Sequence, residues 1–180
     1  MSGVLNYLTF TLTSTIEYSA NPTLFTNSFT RINMSRQFEP ENPDFKSRVM
    51  QSFSEQSVMQ TINAALVTVE AGHVEIELPY RRELTQQDGF IHAGISSTIM
   101  DSACGYAAFT LMPAEARVLT IEFKINLLAP AAGDHFRAIG KVRKAGRSLY
   151  VAEADLYATS DETEKLVATM VGTLMAVNPQ

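Results

Sequence analysis

The chain has 180 residues, 46% of them hydrophobic, so it can bury a substantial core and is short enough to form one domain. Its formal net charge of -5, with no long basic run, argues against a nucleic-acid partner. One cysteine, Cys104, excludes an intrachain disulfide and a multi-cysteine metal site, and it fits a reducing cytoplasm. No apolar run reaches the roughly 18 residues expected of a membrane-spanning helix.

Residues 1–33 differ in composition from the rest of the chain. Their only charged side chains are Glu17 and Arg31, and their apolar residues follow no clear period. They lack the early positive charge and the compact apolar segment of a secretory signal. We therefore predict a poorly structured tail over residues 1–33 and a single domain over residues 34–180, with Met34 as a candidate for the natural start.

Helical and strand-like patterns alternate after this tail. Pro43 suits the first turn of a helix, and the apolar residues that follow it recur at helical spacing to about Gln60. Period-two patterns bounded by Gly, Pro and polar turns predict the strands. In chain order, the prediction is a surface helix to Gln60, strands over 62–70 and 74–78, a polar loop over 80–90, a long helix from Ala93 to Leu111, and strands over 119–127, 135–144, 147–158 and 164–177.

The run from Leu119 to Leu127 has the clearest alternation in the chain. The prediction is that Leu119, Ile121, Phe123, Ile125 and Leu127 point one way, and that Thr120, Glu122, Lys124 and Asn126 point the other. The three strand-like runs after it are spaced as in an antiparallel meander. Together these elements predict an α+β fold, in which one antiparallel sheet of five to six strands wraps around one long central helix.

Asp101 lies in the middle of a stripe of small residues on the predicted long helix, formed by Gly94, Ser97, Thr98, Gly105 and Ala108. Bulky apolar residues cover most of the remaining circumference, which is typical of a buried helix. A carboxylate there is costly without partners, so Asp101 is either a hydrogen-bonded structural acid or a functional one. The small neighbours would let another backbone, a second subunit or a ligand come close.

A spaced pattern joins the polar loop to this helix: Gln86, Gly89, His92-Ala93-Gly94, Asp101 and Gly105. It resembles the pattern of hotdog-fold acyl-CoA thioesterases, in particular the PaaI-like, phenylacetate-degradation-type group. Residues 120–130 resemble the strand that follows the helix in that family, and residues 146–148 resemble its glycine-arginine turn. The resemblance covers about residues 48–177. It implies a hotdog fold and hydrolysis of an acyl-CoA, with aryl and phenylacetyl groups among the candidate acyl groups.

The resemblance also implies roles for individual residues. Asp101 matches the carboxylate that acts as nucleophile or general base, and Gln86 matches an upstream amide that places the water or the thioester. Ala93 matches the backbone N–H donor to the thioester oxygen, at a position where glycine is commoner. Thr120 matches a hydroxyl that supports the acid.

The start of the long helix completes the candidate catalytic set with His92 and Gly94. A helix N-terminus offers unpaired N–H groups and a positive partial charge, which stabilise an oxyanion. We expect His92 to hold the loop before the helix rather than to act as a base.

Positive side chains near the matched turn are candidates for holding the phosphates of coenzyme A. The candidate substrate-binding residues are Arg147, Gly146, Ser148, Asn126 and Arg143. The alternative for Arg137, Lys141 and Arg143 is a solvated edge strand guarded by positive charge. Candidates for shaping the acyl pocket are Met100, Tyr106, Phe109 and Met112.

Two other functions remain open from the sequence. A non-catalytic hotdog module could bind acyl-CoA as a sensor, and a hotdog dehydratase or hydratase would pair a histidine with an acid in a differently spaced motif. We expect no metal and no cofactor beyond the coenzyme A of the substrate. The resemblance implies subunits paired across their active sites, and the last strand is apolar on both faces, so we expect a homodimer or homotetramer in the cytoplasm, with no nucleic-acid or membrane partner.

Overall fold

The computed structural model describes residues 38–161 and 163–178. The predicted tail and the candidate start at Met34 lie outside these residues and stay predictions. The helices are α1 (Phe45–Glu55), α2 (Ser57–Ile62) and α3 (Ala93–Phe109); the strands are β1 (Ala65–Glu70), β2 (His73–Pro79), β3 (Arg117–Leu127), β4 (His135–Ala145), β5 (Leu149–Ser160) and β6 (Thr163–Val177). Among the described residues, no helix is long and apolar enough to cross a membrane.

The six strands form one antiparallel sheet in the order β1-β2-β4-β5-β6-β3. Consecutive hairpins join β4, β5 and β6, as the spacing of their turns predicts. Strand β3 closes the other side of β6, so β3 and β1 are the two edges of the sheet as described. The predicted α+β architecture, with an antiparallel sheet of five to six strands, is confirmed.

Helix α3 lies against the sheet and forms the centre of the core. It contacts every strand except β1 closely, and its residues from Ser102 to Phe109 are all buried. Its closest approach is at Gly140 of β4, where an added Cβ would lie 2.3 Å from the Ala103 carbonyl oxygen. A glycine here therefore lets the helix backbone rest directly on the strand. Cys104 is buried in this layer, as predicted, and burial raises the pKa of its thiol.

Three predicted boundaries are wrong at the ends of helices. The predicted single helix to Gln60 is two helices, because Gln56 is extended and breaks the run between α1 and α2. The strand predicted from Ile62 begins at Ala65, because Ile62 ends α2 and Asn63 takes the left-handed conformation that closes a helix. The long helix ends at Phe109, and its last turn unwinds before Pro113.

Strand β3 departs from the predicted alternation at a β-bulge. Thr120 pairs with Leu174 and Glu122 with Thr173, so Ile121 is an extra residue with no pairing partner. One extra residue inverts the faces of all residues on one side of it. The predicted grouping of Thr120 with Glu122 is therefore wrong: Thr120 faces α3, whereas Glu122 faces away and accepts a hydrogen bond from Thr173.

The apolar residues of β3 are largely uncovered. Leu119, Ile121, Phe123 and Leu127 are 55%, 52%, 42% and 56% exposed, and Ile125 is only partly buried. Because of the bulge, Leu119 lies on the outer face of β3, whereas Phe123, Ile125 and Leu127 lie on the α3 side, so the predicted grouping of Leu119 with them is wrong. Isolated exposed apolar residues are ordinary, but exposed Phe123 and Leu127 on one face of an edge strand favour a contact surface.

Candidate active site

Asp101 is half-buried on α3 and faces the bulged part of β3. The Thr120 hydroxyl donates to Asp101 Oδ1 over 2.8 Å, which fixes the carboxylate against the strand. Burial raises the pKa of Asp101, and the bond from Thr120 partly offsets this by favouring the charged form. The result is a carboxylate more basic than an ordinary surface aspartate, held in one orientation with one oxygen left for another partner.

A cavity of about 310 Å³ opens beside this carboxylate, between α1, α3 and β3. It is lined, besides Asp101 and Thr120, by Ser52, Glu55, Gln56, Ser102, Gly105, Tyr106 and Val118. Of the four residues predicted to shape an acyl pocket, Tyr106 lines this cavity and Phe109 lines the neighbouring groove. Met100 and Met112 are fully buried in the core.

The contribution of α1 to this cavity has no counterpart in the sequence analysis. Ser52 and Glu55 are three residues apart on α1 and Gln56 follows its end, and this helical spacing was the one available signal. Serines, glutamates and glutamines on a surface helix are ordinary, so the pattern alone indicates nothing about a site.

His92 caps α3 at its N-terminus. Its Nδ1 accepts the Gly94 N–H over 2.9 Å, and its carbonyl accepts the N–H groups of Ile95 and Ser96. The Gly94 N–H is thus occupied, whereas the exposed Ala93 N–H has no partner among the described residues. Of the two candidate backbone donors, Ala93 is therefore the one available to a ligand.

Gln86 lies in the loop packed beside that N-terminus. The loop turns through Gly89, whose φ of +85° suits glycine, and is closed by hydrogen bonds from Gln86 N to Phe90 O and from Gly89 N to Gln86 O. The amide of Gln86 contacts Asp88 at both ends: its Nε2 donates to the Asp88 carboxylate and its Oε1 accepts the Asp88 N–H. A ligand would have to compete with Asp88 for this amide.

The predicted catalytic residues fall into two separate groups. Gln86 and Ala93 line a second cavity of about 440 Å³ with the end of β3, whereas Asp101 and Thr120 line the first. Asp101 lies eight positions after Ala93 on the same helix, a rise of about 12 Å. The described chain therefore does not bring its carboxylate and its free helix N–H to one carbonyl.

The turn between β4 and β5 holds the main candidates for binding coenzyme A. Gly146 donates to the Leu149 carbonyl, and Arg147 and Ser148 are exposed. The turn lies at the same end of the sheet as Thr120, because Thr120, Leu174, Tyr150 and Ala145 pair in one row across four strands. Three strand spacings put it about 14 Å from Thr120. Arg147 has no ion pair among the described residues.

The other positive candidates are already engaged or face away. Arg143 pairs with Glu153, and Arg137 pairs with Glu75 at 3.2 Å and Glu164 at 2.6 Å. The interpretation of these residues as guards of an edge strand is wrong, because β4 lies between β2 and β5.

Asn126 points to the outer face of the sheet, where it accepts a bond from Lys124 over 2.6 Å. Its side chain is therefore on the opposite side of β3 from α3 and Asp101. The structure does not bring it to either of the two candidate cavities.

Comparison with known proteins identifies the family. The family model described as thioesterase superfamily matches residues 88–165. The crystal structure of a thioesterase family protein from Silicibacter pomeroyi is 52% identical, with a TM-score of 0.74, and the match covers 75% of this chain and 99% of that one. The chain belongs to the thioesterase superfamily. It is a thioester hydrolase, as its residue pattern predicted.

More distant proteins are consistent with this family assignment. A candidate esterase of Saccharolobus solfataricus is 32% identical over 115 residues, 64% of this chain and 79% of its own. The 1,4-dihydroxy-2-naphthoyl-CoA hydrolase of Listeria monocytogenes is 27% identical over 110 residues, 61% of this chain and 87% of its own. The PaaI protein of E. coli, from the phenylacetic acid degradation operon, shares the fold at 16% identity and a TM-score of 0.68, over 76% of this chain and 96% of its own. The resemblance to PaaI-like hotdog thioesterases is confirmed.

Proposed function

We propose that this thioesterase hydrolyses an acyl-CoA, and that Asp101 is the carboxylate that drives the reaction. The observation that carries the proposal is the half-buried Asp101, oriented by Thr120 at the mouth of a cavity. A carboxylate that only held the fold together would not need an open cavity beside its free oxygen. The hydrolase of Listeria monocytogenes, whose name specifies a naphthoyl-CoA, supports coenzyme A as the thiol and an aryl group as a candidate acyl part.

Two routes use the same carboxylate. As a general base, Asp101 takes a proton from water while the water oxygen attacks the thioester carbonyl carbon. As a nucleophile, its free oxygen attacks that carbon itself, and water later hydrolyses the anhydride. In both routes the C–S bond breaks and coenzyme A leaves as a thiolate, which then takes up a proton. Because a thiolate is a good leaving group, we propose that neither a metal nor another cofactor is needed.

We propose that the N-terminus of α3 stabilises the negative charge that develops on the thioester carbonyl oxygen. In this proposal the Ala93 N–H, which has no acceptor among the described residues, donates to the carbonyl oxygen as negative charge develops, whereas the neighbouring Gly94 N–H is bonded to His92. The positive end of the α3 dipole adds to this stabilisation. Gln86, once released from Asp88, would position the water or the thioester.

We propose that the complete site forms between two copies of the chain. A separation of about 12 Å along α3 prevents Ala93 and Asp101 of one copy from acting on one carbonyl. The exposed Phe123 and Leu127 on edge strand β3 support a second copy there, as do the half-exposed Ser97 and Thr98 on α3. An antiparallel arrangement of two α3 helices would bring the N-terminus of each to the carboxylate of the other. A homodimer, or a homotetramer of two such dimers, follows.

Coenzyme A would then run from the shared carbonyl toward the turn at Gly146–Ser148, where exposed Arg147, which has no ion pair among the described residues, would contact its phosphates. Arg143 is a weaker candidate, since it already pairs with Glu153. We place the reaction in the cytoplasm, where a reducing environment suits the single cysteine.

The test is thiol release from a panel of short-chain, medium-chain and aryl acyl-CoA thioesters. We expect wild type to hydrolyse part of the panel and Asp101→Asn to lose at least about a hundredfold in kcat, as expected for a group acting in the transition state. Asp155→Asn, a half-buried carboxylate on the outer face of the sheet, is the matched control and should retain activity. Binding of acyl-CoA without any hydrolysis by wild type would contradict the proposal.

A further inference from the structure

Arg48 ties α1 to the other two elements that line the first cavity, α3 and β3. Its guanidinium stacks on the ring of Phe109 at the end of α3, with Cζ 3.8 Å from the ring centroid. The same group donates to the carbonyl of Met112 over 3.2 Å, to that of Pro113 over 2.8 Å, and to that of Ala116. Because Ala116 directly precedes β3, one side chain holds the whole connection between α3 and β3.

The α3–β3 loop, residues 110–116, depends on this side chain for its hydrogen bonds. Met112 and Ala116 are buried, and their carbonyls accept no backbone N–H among the described residues. Buried carbonyls without a donor are costly. The planar guanidinium serves three carbonyls and an aromatic face together, whereas a lysine ammonium in its place lacks that fork. The loop is therefore fixed by the geometry of Arg48 as well as by its charge.

Arg48 lies next to the first cavity without lining it. Ser52 and Glu55 follow Arg48 by four and seven positions, so the three side chains share one face of α1. Ser52 and Glu55 line the cavity, and Arg48 lines only the neighbouring groove of about 230 Å³. Any effect of Arg48 on the proposed reaction must therefore pass through other residues.

The start of β3 is the part of the candidate site that follows this loop. Val118, which lines the cavity, and Thr120, which donates to Asp101, lie two and four positions after Ala116. As described, β3 is an edge strand bonded to β6 on one side, and the bulge at Ile121 interrupts that pairing. A short segment that is bonded on one side and ends at a bulge takes its position from the loop before it.

We infer that Arg48 is a positioning residue for hydrolysis, which keeps the Thr120 hydroxyl on the Asp101 carboxylate by fixing the α3–β3 loop. The inference rests on the proposed role of Asp101 and adds a residue outside the cavity on which that role depends. Direct attraction between the two charges is weak. Phe109, on which the guanidinium stacks, lies about 12 Å along α3 from Asp101, beyond the screening length of about 8 Å at physiological salt.

The test measures kcat and kcat/KM against pH with an acyl-CoA that wild type hydrolyses. Arg48→Met should lose about threefold to tenfold in kcat with KM unchanged, since it acts through one hydrogen bond, and its acidic limb should move to higher pH. Arg48→Lys keeps the charge without the fork and should recover part of both effects. Lys46→Met, which removes an exposed positive charge from α1, and Val49→Ala, which removes buried volume from it, are the controls and should keep the wild-type limb.

A double variant separates positioning from a general loss of stability. In Thr120→Ala there is no hydroxyl to place, so adding Arg48→Met should cost less than about twofold in kcat/KM. Losses that multiply, or a wild-type limb in Arg48→Met, overturn the inference and leave the proposed function standing. If Arg48→Met does not fold, the same comparison with Arg48→Lys decides between these outcomes.

A measurement without turnover keeps this inference distinct from the proposed function. The carboxyl ¹³C signal of Asp101, followed by NMR against pH, should give a higher pKa in Arg48→Met than in wild type, because the hydrogen bond that favours the charged form is weakened. An unchanged titration shows that Arg48 does not position the carboxylate. Absence of thioester hydrolysis by wild type contradicts the proposed function whatever this titration shows.

Discussion

Removing the Thr120 hydroxyl should weaken catalysis and shift its dependence on pH in a defined direction. The hydroxyl donates to Asp101 Oδ1 over 2.8 Å and is the contact that orients the carboxylate. A hydrogen bond to a charged group contributes about 1.5–3 kcal/mol. Because Thr120 is exposed and water can partly replace it, the lower end applies, and Thr120→Ala should lose about tenfold in kcat/KM.

The direction of the pH effect follows from the same bond. Thr120 stabilises the charged carboxylate and so lowers the pKa of Asp101, while burial raises it. Without the bond the pKa rises further, so the acidic limb of the kcat/KM profile should move to higher pH. Thr120→Ser keeps the hydroxyl and should keep the wild-type limb. The assay follows the ultraviolet absorbance of the thioester, which is usable at acidic pH. An unchanged limb in Thr120→Ala, or one displaced to lower pH, refutes the assigned role of Asp101.

Further predictions concern stability and assembly. Asp101→Asn should raise Tm at neutral pH by up to about 3 °C. Burial raises the pKa of the Asp101 carboxyl in the folded state, so the charged carboxylate destabilises the wild-type protein fully at pH values above that folded pKa, and this destabilisation fades as the pH falls toward the unfolded pKa. Calorimetry should therefore show the higher Tm of the variant disappearing in acid. Phe123→Glu on β3 should be a monomer by sedimentation and should show no thiol release, whereas Val67→Glu on the opposite edge strand should keep both the wild-type assembly and the wild-type activity. A stable, active Phe123→Glu monomer contradicts the shared site. Gly140→Ala should cost about 3 kcal/mol or more in denaturant unfolding, because its methyl would meet the Ala103 backbone; a cost below 1 kcal/mol would show that α3 can move away.

The sequence predicts the architecture well because its signals are local and periodic. The apolar circumference of α3 identifies the central helix, and the turn residues between β4, β5 and β6 identify their hairpins. The boundaries near Ile62 were missed because one left-handed residue, Asn63, ends a helix where a strand pattern has already begun.

The bulge at Ile121 was missed for a different reason. Isoleucine is a good strand residue, so nothing in the local pattern distinguishes an extra residue from a paired one. The inversion it causes is what turns Thr120 toward Asp101. The role of Thr120 came from family resemblance, and local alternation alone pointed its side chain the other way.

The cavity beside Asp101 was missed in part because it is a tertiary feature. Asp101 and Tyr106 were identified from the motif and from the helix that carries them. Ser52 and Glu55 lie about fifty residues earlier in the chain, and their position depends on how α1 packs against α3. Sequence periodicity gives the face of each helix but not the neighbour that the face meets.

The shared site can be tested directly by combining two inactive variants. Asp101→Asn and Gln86→Ala, each inactive alone, are co-expressed in equal amounts so that mixed dimers form. If each site takes Asp101 from one copy and Gln86 from the other, every mixed dimer contains one intact site, and random pairing restores about a quarter of the wild-type activity. A mixture of Asp101→Asn with Asp101→Ala is the control and should restore none. Activity no greater than that of the two parent variants would contradict the account, because it would place both residues in the site of a single copy.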